Sequence, residues 1–157
     1  VNRNCKLCWG VSALLLAVLL YGGYVVGIRG NVEAGDDGRT AVVMDSADRI
    51  RVLGEMRAFL EAVQEINAAI ADGNMKKVET IARASGMVKA RGESAAFLAT
   101  LPLEFKKLGM ATHQRFDDLA DLAATNPTPQ KMLAAVSDTM LNCVACHQAY
   151  QLKARTQ

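Results

Sequence analysis

Cys143-Val144-Ala145-Cys146-His147 closes an apolar-periodic run that opens at Thr128-Pro129, and the reading of these five residues governs the rest of the chain. Two thiols three positions apart can add to the two vinyl groups of one haem, and the adjoining imidazole can bind its iron. The rival readings of C-x-x-C are a thioredoxin-like redox pair and half of a zinc site. A redox pair opens a helix after a strand, and no strand pattern is read in this chain. A zinc site needs two further ligands, and His113 is the only other histidine. The motif therefore predicts one covalently attached haem c, held by Cys143 and Cys146, with His147 as the proximal iron ligand.

Beyond His147 stand ten residues without Met or His, and Lys153 is expected six positions on in the same helix. A second iron ligand is thus expected from upstream, from an element that folds back over the haem.

Working outward, Trp9 to Ile28 is a run of 20 residues without a charge. At 1.5 Å per residue it covers about 30 Å, the thickness of a bilayer's hydrocarbon core. A cleaved signal peptide with Val32-Glu33-Ala34 as the processing site is the alternative, but the run is long for such a segment. A retained anchor over residues 9–28 is expected, preceded by a cytoplasmic segment, 1–8, and followed by a linker, 29–40. Arg3 and Lys6 precede the run, while Glu33, Asp36 and Asp37 follow it, which leans towards a cytoplasmic N-terminus. Bacterial attachment of haem to C-x-x-C-H takes place outside the cytoplasmic membrane, so the domain is expected in the periplasm. The formal +2 charge arises in the N-terminal 29 residues, which hold three basic residues and no acids; the remainder carries 15 basic and 16 acidic residues. Such a near-neutral domain gives no electrostatic case for nucleic acid.

Residues 41–157 read as helical throughout. Ile50, Leu53, Met56, Leu60, Val63, Asn67 and Ile70 recur every three or four positions with charges between them. Asp72-Gly73-Asn74 ends that helix and starts the next, whose stripe is Met75, Val78, Ile81, Ala82 and Met87. Residues 93–101 read as a helical turn or a packed loop. A third long helix follows Pro102, and Thr128-Pro129 supplies an N-cap and first-turn proline for the last. The last helix carries Met132, Val136, Met140, Cys143, His147 and Tyr150 on one inward stripe. Four amphipathic helices with short turns predict an all-α, antiparallel four-helix bundle behind an N-terminal transmembrane helix.

Cys143-Val-Ala-Cys146-His147-Gln-Ala-Tyr150, with Met56 in the first helix and Ile81-Ala82-x-x-Ser85-Gly86-Met87 in the second, resembles the class II c-type cytochromes, cytochrome c′ and cytochrome c-556. The resemblance covers residues 41–155 and implies that the first helix supplies the residue above the iron, at or near Met56. A ligating Met56 makes an electron carrier; a Met56 that only packs makes a five-coordinate site for NO or CO. His113, on the third helix, is a rival ligand or a surface or propionate-contacting residue, and Met140 packs beside the haem. Two departures stand out: Gln151 occupies the position where the family usually has Arg, and its usual members lack the N-terminal anchor.

These readings combine into a membrane-anchored monohaem cytochrome, not an enzyme, that transfers electrons in the periplasm. Its expected partners are redox proteins or subunits of a respiratory or photosynthetic complex. The alternatives are a gas-binding cytochrome c′ and an accessory assembly subunit with a structural haem. Gly23 and Gly27 could admit a second transmembrane helix, and a homodimer is left open. Cys5 and Cys8, which lack a following His, read as idle reduced thiols.

Overall fold

Asp45 begins the helical part of the domain: its carboxylate accepts from the Asp48 N–H at 2.7 Å and caps α2, Ser46–Ala71. The computed structural model describes residues 3–155, with side chains from Lys6 onward. Within it, α1 (Arg3–Tyr24) continues into a π-helical turn, Val25–Arg29. After α2 come α3 (Met75–Ser85), the short α4 (Met87–Ala90) and α5 (Ala95–Thr100), then α6 (Leu103–Ala124) and α7 (Pro129–Ala149). The caps at Asn74 and Thr128 are as the residue types predict, accepting from Lys77 N–H at 3.0 Å and Lys131 N–H at 3.3 Å. Ser94 caps α5 in the same way, which makes a helix of the stretch that sequence left ambiguous.

The chain is mostly helical, and α2, α3, α6 and α7 bury one common core. Ile66, Ala69 and Ile70 meet Val78 and Ala82, Phe116 and Leu119, and Met132 and Val136. Phe59 stacks on Phe116 with ring centroids 5.1 Å apart. One expectation for α2 needs correction. Ile50 and Leu60 are 65% and 67% exposed; of the expected stripe Ile70 is buried, and it is joined by Val52, Ala62, Ile66 and Ala69. Two apolar stripes run along this helix, side by side, and period alone does not say which one meets the other helices.

The expectation of a purely α-helical domain without strands is overturned by a small sheet. Its strands are β1 (Val32–Ala34), β2 (Thr40–Met44) and β3 (Tyr150–Ala154), in the order β1-β2-β3. The stretch read as a linker is a hairpin: β1 pairs antiparallel with β2, Glu33 opposite Ala41, around the turn Gly35-Asp36-Asp37-Gly38. The presumed helical tail after His147 is also a strand. It leaves α7 at Tyr150 and pairs parallel with β2, from Thr40↔Tyr150 to Met44↔Ala154, so Lys153 lies on β3. β2 is central and its residues Ala41 to Met44 are buried, a short apolar run of the kind that fills an inner strand. The strand packs through Val42 and Met44 on Val52, Phe97, Leu101 and Phe105, forming a second core beside Cys146.

The junction between α1 and this domain is close-packed. Gly30 takes φ +63°, and a Cβ there would stand 2.4 Å from Pro102 N and 2.5 Å from Leu101 C. The Asn31 N–H donates to Thr100 O at 2.7 Å, and Lys106 Nζ donates to Gly27 O at 3.3 Å. α1 together with the π-helical turn is long and apolar enough to cross a membrane, and none of its apolar stretch is buried in the domain.

Candidate functional site

Cys143, Cys146 and His147 stand at i, i+3 and i+4 near the C-terminal end of α7, which puts them on one side of the helix. That side faces α2, and three adjoining cavities of about 180, 380 and 120 Å³ line the cleft between them. Met56 and His147 are the two residues that line all three. Cys146 and Tyr150 border the first, Cys143 and Met140 the second, and both cysteines the third. Every residue that the sequence nominated for the site therefore borders this one cleft.

The walls of the largest cavity are mostly apolar, with Arg57, Thr139 and His147 as the polar residues on its lining. Leu53, Met56, Leu60 and Val63 of α2 face Phe116 of α6 and Met140 of α7. This is the second stripe of α2, which explains why Leu60 and Met140, 41% exposed, are not covered by other helices. His147 is exposed as well, and it lines all three cavities. Tyr150 packs edge-on against Phe105, with centroids 5.3 Å apart.

Burial pushes both Cys143 and Cys146 above the usual thiol range, and for Cys146 the neighbouring Cys143 adds to it. A redox C-x-x-C at a helix N-terminus has its thiolate stabilised by the helix dipole. These two lie at the opposite, negative end of α7, where no such help exists. Burial, with Glu104 next in weight, also raises the Tyr150 phenol.

His113 is not at the surface. It is 6% exposed, with Nδ1 2.9 Å from Ser85 O, Nε2 3.6 Å from Glu55 Oε1, and its ring edge-on to Phe59 at 5.0 Å. It borders the smallest cavity from the α6 side but is committed to the contact between α2, α3 and α6.

Two arginines at the site escaped the sequence reading. Arg39, in the stretch taken for linker, donates through Nη1 to His147 O at 3.1 Å and Tyr150 O at 3.2 Å. Asp37 holds the same guanidinium at 2.6 Å, and Gln151 Nε2 donates to Asp37 at 3.1 Å. A cation on the last carbonyls of α7 caps the helix and opposes its dipole. Arg49, in the first turn of α2, donates through Nε to Leu152 O at 3.2 Å and lines the cleft mouth beside His147. Neither contact leaves a local signal, because the acceptors are backbone carbonyls more than a hundred residues away.

No protein-family model, curated protein or solved structure matches this chain. Among the described residues, no three His, Cys, Asp or Glu side chains converge as a cage for a metal ion. Cys8 is a free, exposed thiol, and the side chain of Cys5 lies outside the described residues.

Proposed function

We propose that this chain is a membrane-anchored monohaem c-type cytochrome of the cytochrome c′/c-556 kind, with an antiparallel four-helix bundle, that carries electrons outside the cytoplasmic membrane. The observation that carries the reading is the cleft in which Met56 of α2 and His147 of α7 share all three cavities, with Cys143 and Cys146 on its wall. The donor set fits a haem: two thiols for covalent attachment, an imidazole and a thioether for the iron, and an apolar wall for the macrocycle. Attachment adds each S–H across a vinyl C=C and needs no oxidant. Bound there, haem supplies reversible one-electron exchange, with a potential raised by a Met ligand and by burial.

The chain's own residues set the conditions. Cys143 and Cys146 would hold the group covalently, and His147 and Met56 would be the residues at its iron. Leu53 and Val63, with the more exposed Leu60, would give it an apolar wall. Arg39 fixes the end of α7, and with it the position of His147. The N-terminal helix, spanning the membrane with its N-terminus inside, confines the domain near partners in the membrane plane and raises their effective concentration. Those partners are redox proteins or subunits of a larger membrane complex.

Optical spectra of the purified full-length protein, oxidised and reduced, with and without CO, test this. The expected result is a low-spin haem that CO leaves unchanged, with Met56→Ala lowering the potential and admitting CO. Unchanged spectra and potential in Met56→Ala would remove that residue from the iron. A high-spin wild type that binds CO readily would replace electron transfer by gas binding. Protein free of haem after expression with the attachment machinery would overturn the whole reading.

A further inference from the structure

From the ring of side chains around the cleft mouth we infer that Arg49 is the cation that receives a carboxylate of the bound group, a haem propionate, with Arg39 as the positioning residue beside it. The inference rests on the haem reading above. Gln151, which follows Tyr150 on β3, is neutral and spends its amide on Asp37. The cavity that Gln151 lines nevertheless contains two guanidiniums, from Arg39 and Arg49.

Their roles differ. Arg39 is committed: Nε and Nη2 to Asp37, Nη1 to the carbonyls of His147 and Tyr150. Arg49 is fixed through Nε alone, and the ion pairs of the described residues do not include it. Its neighbour Asp48 is taken by Arg51. Arg49 is half-buried in the first turn of α2, the positive end of the helix, where a cation is disfavoured. A partly desolvated guanidinium without a carboxylate is costly, and its planar fork suits a carboxylate better than any other partner. Arg49, Leu53 and Met56 stand at i, i+4 and i+7, so the cation lies on the cleft-lining face of α2, about 10 Å along the axis from Met56. The other charged or titratable groups at that cavity are Cys146, His147, Tyr150 and Arg39 with its Asp37.

The test uses the full-length protein in membranes, matured with haem, and compares wild type with Arg49→Gln, Arg49→Lys and the double variant Arg49→Gln/Gln151→Arg. Haem per polypeptide is measured first, then the reduced-to-oxidised ratio at one fixed ambient potential. Loss of a cation near the iron favours the oxidised, more positive state, so Arg49→Gln should lower the ratio by about three- to tenfold. Arg49→Lys should keep most of the wild-type ratio, and Gln151→Arg should restore the ratio lost in Arg49→Gln by returning a guanidinium to the same cavity. A wild-type ratio in Arg49→Gln at full haem content overturns the assignment. So does a Lys variant as impaired as Gln with no rescue by Gln151→Arg, since that marks a residue that only braces Leu152. Wild-type protein without haem refutes the underlying reading instead, which separates the two failures.

Discussion

Asp37 and Arg39 lie two residues apart in a hairpin turn, yet their pair acts on the far end of the chain, where Arg39 holds the carbonyls of His147 and Tyr150. The Arg39 guanidinium, by hydrogen bonding first, holds the Asp37 carboxyl below its ordinary value of 3.8. A depressed carboxyl contributes stability that is present above its unfolded pKa and is lost as pH falls through the folded one. Thermal unfolding of wild type should therefore lose stability on acidification below about pH 4 by this route. Asp37→Asn should lack that increment across the same window, being less stable at neutral pH and flatter towards acid. Equal pH profiles for the two proteins would show that the pair, which is solvent-exposed, contributes nothing. At this scale the grouping of Cys143, Cys146 and His147 was legible because residue type and spacing put them on one side of a helix. Met56 was nominated by resemblance, and it lines the same cleft. Arg39 was not, since nothing near it in the chain indicates the carbonyls it binds.

Among the elements, the helices were readable and the strands were not. Caps and turns at Asn74 and Thr128 act within four residues, so local sequence carries their signal. β2 has the apolar composition of a buried strand, but its parallel partner β3 is about 110 residues away, and only that pairing turns Tyr150 to Ala154 from helix into strand. The junction after α1 belongs to the same scale. Gly30 combines a left-handed φ with backbone contacts to Leu101 and Pro102 that leave no room for a methyl group. Gly30→Ala should cost about 2 kcal/mol or more, from conformational strain and overpacking together. The expected readout is a lower melting temperature, with faster protease cleavage between Arg29 and Asn31. A variant with wild-type melting and cleavage would mean that the junction yields without loss.

Over the whole molecule, two cores meet at the cleft: the helical core from Ile66 to Val136, and the one that β2 makes with Phe97, Leu101 and Phe105. The apolar residues between them, Leu53, Leu60, Val63 and Met140, line a wall shared by α2 and α7. Under the haem reading, Cys143→Ser/Cys146→Ser, which abolishes covalent attachment, should lower the melting temperature and loosen the α2–α7 contact while leaving α3 and α6 packed. Hydrogen exchange resolved by segment checks this, and uniform protection across both proteins would count against it. By itself the sequence determined the spacing of the C-x-x-C-H residues, the apolar N-terminal run, the helices and their caps, all properties of residues within a turn or two of each other. Only the tertiary structure decided which stripe of α2 is core and which is cleft, that Met56 shares its cavities with His147, and that a hairpin brings Arg39 to the end of α7. Those depend on contacts between elements, from α2 with its neighbour α3 to Arg39 with the end of α7 more than a hundred residues away, and local periodicity contains no information about them.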